Sequence, residues 1–164
     1  MMVIAFDIGV TGAIAFLEAE SYSVDDIPTA ADNAGRCIDG GALADILMAN
    51  VRAGEPMLAA FEDVRPRPQG NANSHGNSMY SQGSLMRSRG TIEGVLGVLR
   101  IRHITVQPQA WKDWYGLLRT DKKASLAKAR QMFPDVANQL TRVSMDHNRA
   151  DALLIAHFVL RTKT

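Results

Sequence analysis

Three carboxylates stand at positions where an acid is expensive. Asp7 closes the apolar run that begins at Val3, Glu62 closes the run from Met57 to Phe61, and Asp151 lies on or beside the apolar stripe of the last helical segment. An acid next to core-facing residues costs free energy unless it is paired or coordinates a cation. If the two strands are parallel neighbours, Asp7 and Glu62 share one edge of the sheet, and the helix can bring Asp151 to meet them. Such a cluster repels itself without a cation, and an all-oxygen site suits hard divalent ions such as Mg²⁺ and Mn²⁺. Two ions held ~3.5–4 Å apart can activate a water and stabilise the leaving oxygen of a phosphodiester. Each acid alone has a plainer reading: an Asp after a strand is often a turn residue, and Asp146 can simply cap a helix.

The elements that must position these acids follow from periodicity and turn residues. Residues 3–7 and 13–17 are short β-rich runs joined by Ile8-Gly9-Val10-Thr11-Gly12, which reads as a hairpin. Glycine-rich turns of this kind also cradle phosphate in actin-like ATPases, but that architecture needs two such domains and about twice this length. Residues 22–27 suggest a third strand ended by Pro28, and 29–40 a loop. Residues 41–52 carry Leu43, Ile46 and Leu47 at helical spacing. After the strand at 57–61, residues 65–83 hold Pro66, Pro68 and several Asn, Gln and Gly. A connection that long inside a compact domain is usually functional. Helix is expected at 84–99, strand at 102–106, then helices at 111–118, 122–133 and 146–160. Strands that cluster first and then alternate with helices make an α/β protein whose sheet has antiparallel and parallel parts.

With 164 residues, 46% apolar and 21% charged, the chain reads as a single domain spanning 1–164, with no internal repeat. No apolar run approaches the ~18–20 residues that span a bilayer, so no membrane association is expected. One cysteine, Cys37, excludes an intrachain disulfide and a cysteine-based zinc finger, and fits a reducing, cytosolic compartment. The net charge of +1 hides an asymmetry. Residues 1–64 carry 11 acidic and 2 basic side chains, whereas residues 65–130 carry 3 acidic and 12 basic. A basic central third in a nearly neutral chain points to a polyanion-binding face.

Taken together, the ordered runs Ala5-Phe-Asp-Ile-Gly-Val-Thr-Gly12, Phe61-Glu-Asp-Val64, the glycine-bearing helix 84–99, Val106-Gln-Pro-Gln-Ala-Trp-Lys112, Asp121-Lys-Lys-Ala-Ser125 and Asp146-His-Asn-Arg-Ala-Asp-Ala-Leu-Leu-Ile-Ala156 resemble the RuvC-type Holliday junction resolvases of the ribonuclease H-like superfamily, most closely the phage and organellar branch. The resemblance covers most of the chain. It implies a ribonuclease H-like fold with a five-stranded mixed sheet flanked by helices. It further implies a homodimeric endonuclease, with Mg²⁺ or Mn²⁺ as two ions per site and no nucleotide cofactor. Its substrate would be four-way or otherwise branched DNA in a bacterial, phage-infected or organellar setting. Symmetric nicks would leave 5′-phosphate and 3′-hydroxyl ends. A branched-DNA-binding protein with weak or no nuclease activity is the alternative.

The resemblance assigns Asp7, Glu62 and Asp151 as metal ligands. Bacterial members place Asp or His three residues before the last acid, where this chain has the weaker ligand Asn148. The phage-like branch uses an earlier acid, so the resemblance implies Asp146, swinging in from a cap position outside the helix, as the fourth ligand, with His147 second. Lys122 matches a lysine near the scissile phosphate, where it would neutralise developing charge. Arg65 and Arg67 would hold phosphates, and Met79 or Tyr80 would stack on or wedge between bases at the branch point. Arg87, Arg89, Lys112, Arg119 and Lys123 are further phosphate candidates. The glycine-spaced helix would either pair with its copy in a second subunit or pack closely on its own sheet. Trp111, Trp114 and Tyr115 read as core or helix-docking residues.

Overall fold

The computed structural model describes residues 1–33, 35–51, 54–66 and 78–163. Arg67 therefore lies outside the described residues. The strands are β1 (Met2–Asp7), β2 (Ala13–Leu17), β3 (Tyr22–Asp26), β4 (Thr29–Asp32), β5 (Gly35–Ile38), β6 (Met57–Glu62) and β7 (His103–Val106). The helices are α1 (Gly40–Asn50), α2 (Met79–Val98), α3 (Pro108–Trp114), α4 (Lys122–Met132) and α5 (Val143–Thr162), with a 3-10 segment at Pro134–Gln139. None is long and apolar enough to cross a membrane.

The expected five-stranded mixed sheet is present, in the order β3-β2-β1-β6-β7. β1 is its centre, antiparallel to β2 and parallel to β6, and β7 runs parallel to β6. Alternation along β1 sorts side chains onto two faces, as the period-2 pleat requires. Met2, Ile4 and Phe6 pack with Leu43 and Leu47 of α1 and Ile92 and Leu96 of α2. Val3 and Ala5 pack with Trp111, Leu126 and the α5 residues Ala150, Leu153 and Leu154. Both faces of β1 are thus covered, which explains why its run is apolar throughout rather than alternating.

Several boundaries depart from the sequence expectation, α3 among them, which runs Pro108–Trp114 rather than 111–118. Residues 29–40, expected as loop, hold the β4–β5 hairpin, a separate two-stranded sheet; its small residues, among them Ala30, Ala31 and Gly35, gave no apolar alternation to detect. α2 starts at Met79 rather than Ser84, because the Ser78 hydroxyl caps it by accepting from the Ser81 N–H. α5 starts at Val143 rather than Asp146. Asp146 therefore lies inside the first turn of the helix, which changes what its carboxylate can reach.

Candidate active site

Strand register brings the first two acids together. Phe6 of β1 lies opposite Phe61 of β6 in a parallel pair, and neighbouring strands are about 4.8 Å apart. Asp7 and Glu62, the next residues, emerge side by side at the same end of the sheet. Both share the pleat parity of Val3, Ala5, Leu58 and Ala60, which face α5. Asp151 sits on α5 between the fully buried Ala150 and Ala152.

The electrostatics record this convergence. The Asp7 carboxyl is pushed well above the ordinary carboxylate range, first by burial and then by the negative charges of Asp151 and Glu62; Lys112 and Lys122 act the other way. Burial likewise pushes Asp151 up to about 6, opposed by a hydrogen bond from Ser125 and by the same two lysines. The Oδ1 atom of Asp151 is buried with no hydrogen-bond partner. An orphaned carboxylate oxygen is costly, and a cation is the partner chemistry such an atom lacks. Glu62 is held differently. Its Oε1 accepts the Trp111 indole N–H at 2.8 Å, and the Lys112 ammonium stands 4.0 Å away, above the Trp111 ring. As they stand, no three His, Cys, Asp or Glu side chains among the described residues form a group arranged to hold a metal ion. The donors fit hard divalent cations in chemistry: three carboxylates, one with an unsatisfied oxygen.

The turn after Asp7 is tight. Gly12 donates its N–H to the Gly9 carbonyl at 3.0 Å, and a Cβ at Gly12 would lie 2.0 Å from the Asp7 carbonyl oxygen. Only glycine permits so close a backbone approach. The Asn148 side-chain amide donates to the Thr11 carbonyl, tying this turn to α5.

Asp146, expected as the fourth metal ligand, has other partners. It is buried, 2% exposed, and accepts the backbone N–H groups of Thr141 at 2.9 Å and Arg142 at 2.7 Å. The guanidiniums of Arg142 and Arg149 lie 3.1 and 3.7 Å from it. Burial would raise its carboxyl, but the Arg142 backbone and side chain outweigh this and hold it low. These partners follow from the helix start: within the first turn, an acid reaches back to orphan N–H groups. His147 is also turned away from a ligand role. The Val143 carbonyl can only accept, so Nδ1 carries the proton, and Nε2 is left to accept from the Lys122 Nζ at 2.9 Å. Burial and the lysine charge lower its basicity.

The expected DNA contacts divide. Met79 and Tyr80 are both 75% exposed at the start of α2. Lys123 and Arg119 are exposed, the latter with a left-handed backbone, φ 61°. Arg65 is exposed but pairs with Asp63 at 2.8 Å. Arg87 pairs with Asp32, fixing α2 to the β4–β5 hairpin. Arg89 is structural, donating to the Val64 carbonyl at 2.8 Å and to Glu93 at 2.9 Å while stacking over Phe61. Lys112, expected only at phosphates, belongs to the acid cluster. Sequence reasoning missed Ser125. Its signal was spacing, since Lys122 and Ser125 are three apart on α4 and so share a helix face. Trp111 is fully buried, as expected, and its N–H adds a hold on Glu62.

No family model and no curated protein matches the sequence. Solved structures do. That of Thermus thermophilus RuvC in complex with a Holliday junction substrate aligns with TM-score 0.59 at 14% identity, covering 100% of this chain and 98% of that one. A second Thermus thermophilus RuvC structure aligns with TM-score 0.54 at 15% identity, over the same shares of the two chains. The chain has the fold of the RuvC resolvases, an α/β fold of the ribonuclease H-like kind with a mixed five-stranded sheet flanked by helices.

Proposed function

We propose that this protein is a metal-dependent endonuclease that resolves four-way DNA junctions. The reading is supported by Asp7, Glu62 and Asp151, on β1, β6 and α5, whose negative charges act on one another, with two lysines acting on the same carboxyls and one carboxylate oxygen left without a partner. The shared fold with a protein solved on a Holliday junction supports it.

In this mechanism Asp7, Glu62 and Asp151 would hold the cations. Two divalent ions, Mg²⁺ or Mn²⁺, would supply water activation and stabilisation of the leaving oxygen. Trp111 fixes one oxygen of Glu62, which would let that carboxylate meet a cation with little reorganisation, and Ser125 acts on the Asp151 carboxyl. Lys122, steadied by His147, adds positive charge where phosphoryl oxygens gain negative charge in the transition state. The nicks leave 5′-phosphate and 3′-hydroxyl ends. Two copies acting on opposed strands give paired cuts. The exposed glycine face of α2 supports such pairing, since a Cβ at Gly83, Gly90, Gly94 or Gly97 would meet no atom within 4 Å. Met79 and Tyr80 are the exposed groups suited to bases at the branch.

A branched-DNA-binding protein without nuclease activity is the second reading. It is favoured by Asn148, which stands where bacterial resolvases have a metal ligand and whose amide is engaged by Thr11. One experiment separates them: nicking of a four-way junction in Mg²⁺ and in Mn²⁺, with Asp7→Asn as control. Paired nicks lost in the control are the expected result. Junction binding without metal-dependent cutting would leave the binding protein standing.

A further inference from the structure

The β4–β5 hairpin and the first half of α2 enclose a cleft of about 210 Å³, lined in part by Val10, Arg36, Cys37, Tyr80, Ser84 and Arg87. A second cleft of about 180 Å³ shares Val10 and Arg36 with the first and continues to Thr11, Arg142, His147 and Asn148. Val10 belongs to the turn that follows Asp7, and His147 holds Lys122, whose charge acts on Asp7 and Asp151. The two clefts therefore adjoin at Val10 and Arg36 and lead from the exposed Tyr80 to the turn that follows Asp7; Asp26 and Asp146 also line the second, while Asp7, Glu62 and Asp151 line neither.

The charges along the first cleft are unequal. Arg87 is neutralised by Asp32, and that pair fixes the wall. Arg36 has no carboxylate partner among the described residues. Its Nε donates to Thr29 Oγ1 at 2.9 Å, which orients the guanidinium and leaves its two terminal nitrogens for a ligand. A guanidinium, an aromatic ring and a serine hydroxyl around a small cleft suit a nucleotide, with phosphate on the arginine and base against the tyrosine. Pockets that enclose a whole small molecule run to about 300–1,000 Å³. This cleft is smaller and admits a single base or sugar-phosphate unit, not a base pair.

We infer that the cleft between the β4–β5 hairpin and α2 is a subsite for one unpaired nucleotide of a DNA strand whose neighbouring phosphodiester reaches the carboxylates. The inference rests on the nuclease reading. It gives the hairpin a function: the hairpin takes a nucleotide that a continuous duplex keeps stacked, so it selects branch points.

Cys37, the only cysteine of the chain, lines the cleft and reports on it. The test is its alkylation rate with N-ethylmaleimide in EDTA, where no DNA is cut. The rate is read for free protein and for protein saturated with a four-way junction carrying one unpaired thymidine per branch, with unbroken duplex, or with free thymidine monophosphate. The junction is expected to slow alkylation by about tenfold or more, while duplex and free nucleotide leave it unchanged. Arg36→Gln is expected to weaken junction binding about tenfold and abolish the protection, with an unchanged thermal midpoint. A 5-iodouracil at the unpaired position supplies an independent readout, photocrosslinking to the peptide that carries Tyr80 or to the one that carries Arg36. Equal alkylation rates and no crosslink, in protein that still binds and nicks junctions, would overturn the subsite and leave the nuclease reading intact. Protection by free nucleotide alone would also overturn it. Absence of junction binding and of nicking would overturn both.

Discussion

The Lys122 ammonium and the His147 imidazole meet at 2.9 Å, and the imidazole is itself anchored to the Val143 carbonyl. A flexible lysine at the start of α4 is thereby tied to the first turns of α5, the helix that carries Asp151. Lysine loses considerable rotamer freedom when fixed, and the histidine supplies a fixed acceptor for it. Lys122→Ala is expected to slow single-turnover junction nicking by about 10²–10³-fold with little loss of junction affinity. His147→Ala should slow it less, and His147→Gln, which keeps an acceptor, should recover part of the rate. Unaltered nicking by Lys122→Ala would remove the lysine from the reaction.

The raised carboxyls make stability depend on pH. Asp151 titrates at about 6 in the folded chain and near 3.9 when unfolded. Between those values the folded state binds more protons, so stability falls as pH rises, by on the order of 3 kcal/mol for this group. Asp7 acts in the same direction. Without metal, the thermal midpoint should drop from pH 4.5 to pH 7. Mg²⁺ should raise it at pH 7.5 and hardly at pH 4.5. Asp151→Asn should flatten both responses in differential scanning fluorimetry. Identical melting with and without Mg²⁺ and Mn²⁺ at pH 7.5 would count against the metal site.

Asp146 should behave in the opposite way. Its carboxyl is held low, so its contribution is complete above pH ~4 and is lost as pH falls through its folded value. Asp146→Ala removes a buried acceptor from two backbone N–H groups and is expected to cost about 2 kcal/mol or more. The Mg²⁺-induced rise in melting temperature should survive. Asp7→Asn should abolish that rise and stabilise the metal-free chain. If Asp146→Ala instead melts normally and loses its metal response, Asp146 is a ligand after all.

Glycine substitutions separate a structural glycine from an open one. Gly12→Ala forces the turn away from the Asp7 carbonyl and is expected to cost about 2–4 kcal/mol, with loss of nicking. Gly90→Ala adds a methyl to open space within α2, and replacing a helical glycine typically gains up to about 1 kcal/mol. Gly94→Leu leaves the fold intact and should split the proposed dimer, read by sedimentation velocity. A dimer that tolerates leucine there would be built on another surface.

The centre of the sheet was legible because β1, β2 and β6 are short apolar runs whose length and punctuation exclude helices. The acids Asp7 and Glu62 could be paired from sequence because both end such runs and parallel register does the rest. The partners of Asp146 were not legible because they turn on where α5 begins. The three residues before it, Val143, Ser144 and Met145, carry no strong helix signal, so the sequence suggests a helix start three residues later than the observed one. The β4–β5 hairpin was invisible for a related reason: Thr29–Ile38 is held by backbone pairing and the Arg87–Asp32 contact, not by apolar alternation. Lys112 looked like one cation among many. Only the fold puts it over Trp111 and beside Glu62.

The central place of β1 has a consequence for synthesis. Of the three carboxylates Asp7 leaves the ribosome first, Glu62 follows some fifty residues later, and Asp151 comes with α5. At about 5–20 residues per second, several seconds separate the first carboxylate from the third. Through that interval one face of β1 lacks its α5 cover, and the nascent chain carries no assembled acid cluster. A polypeptide stalled or cleaved before α5 leaves that apolar face open to aggregation and lacks the third carboxylate of the proposed site.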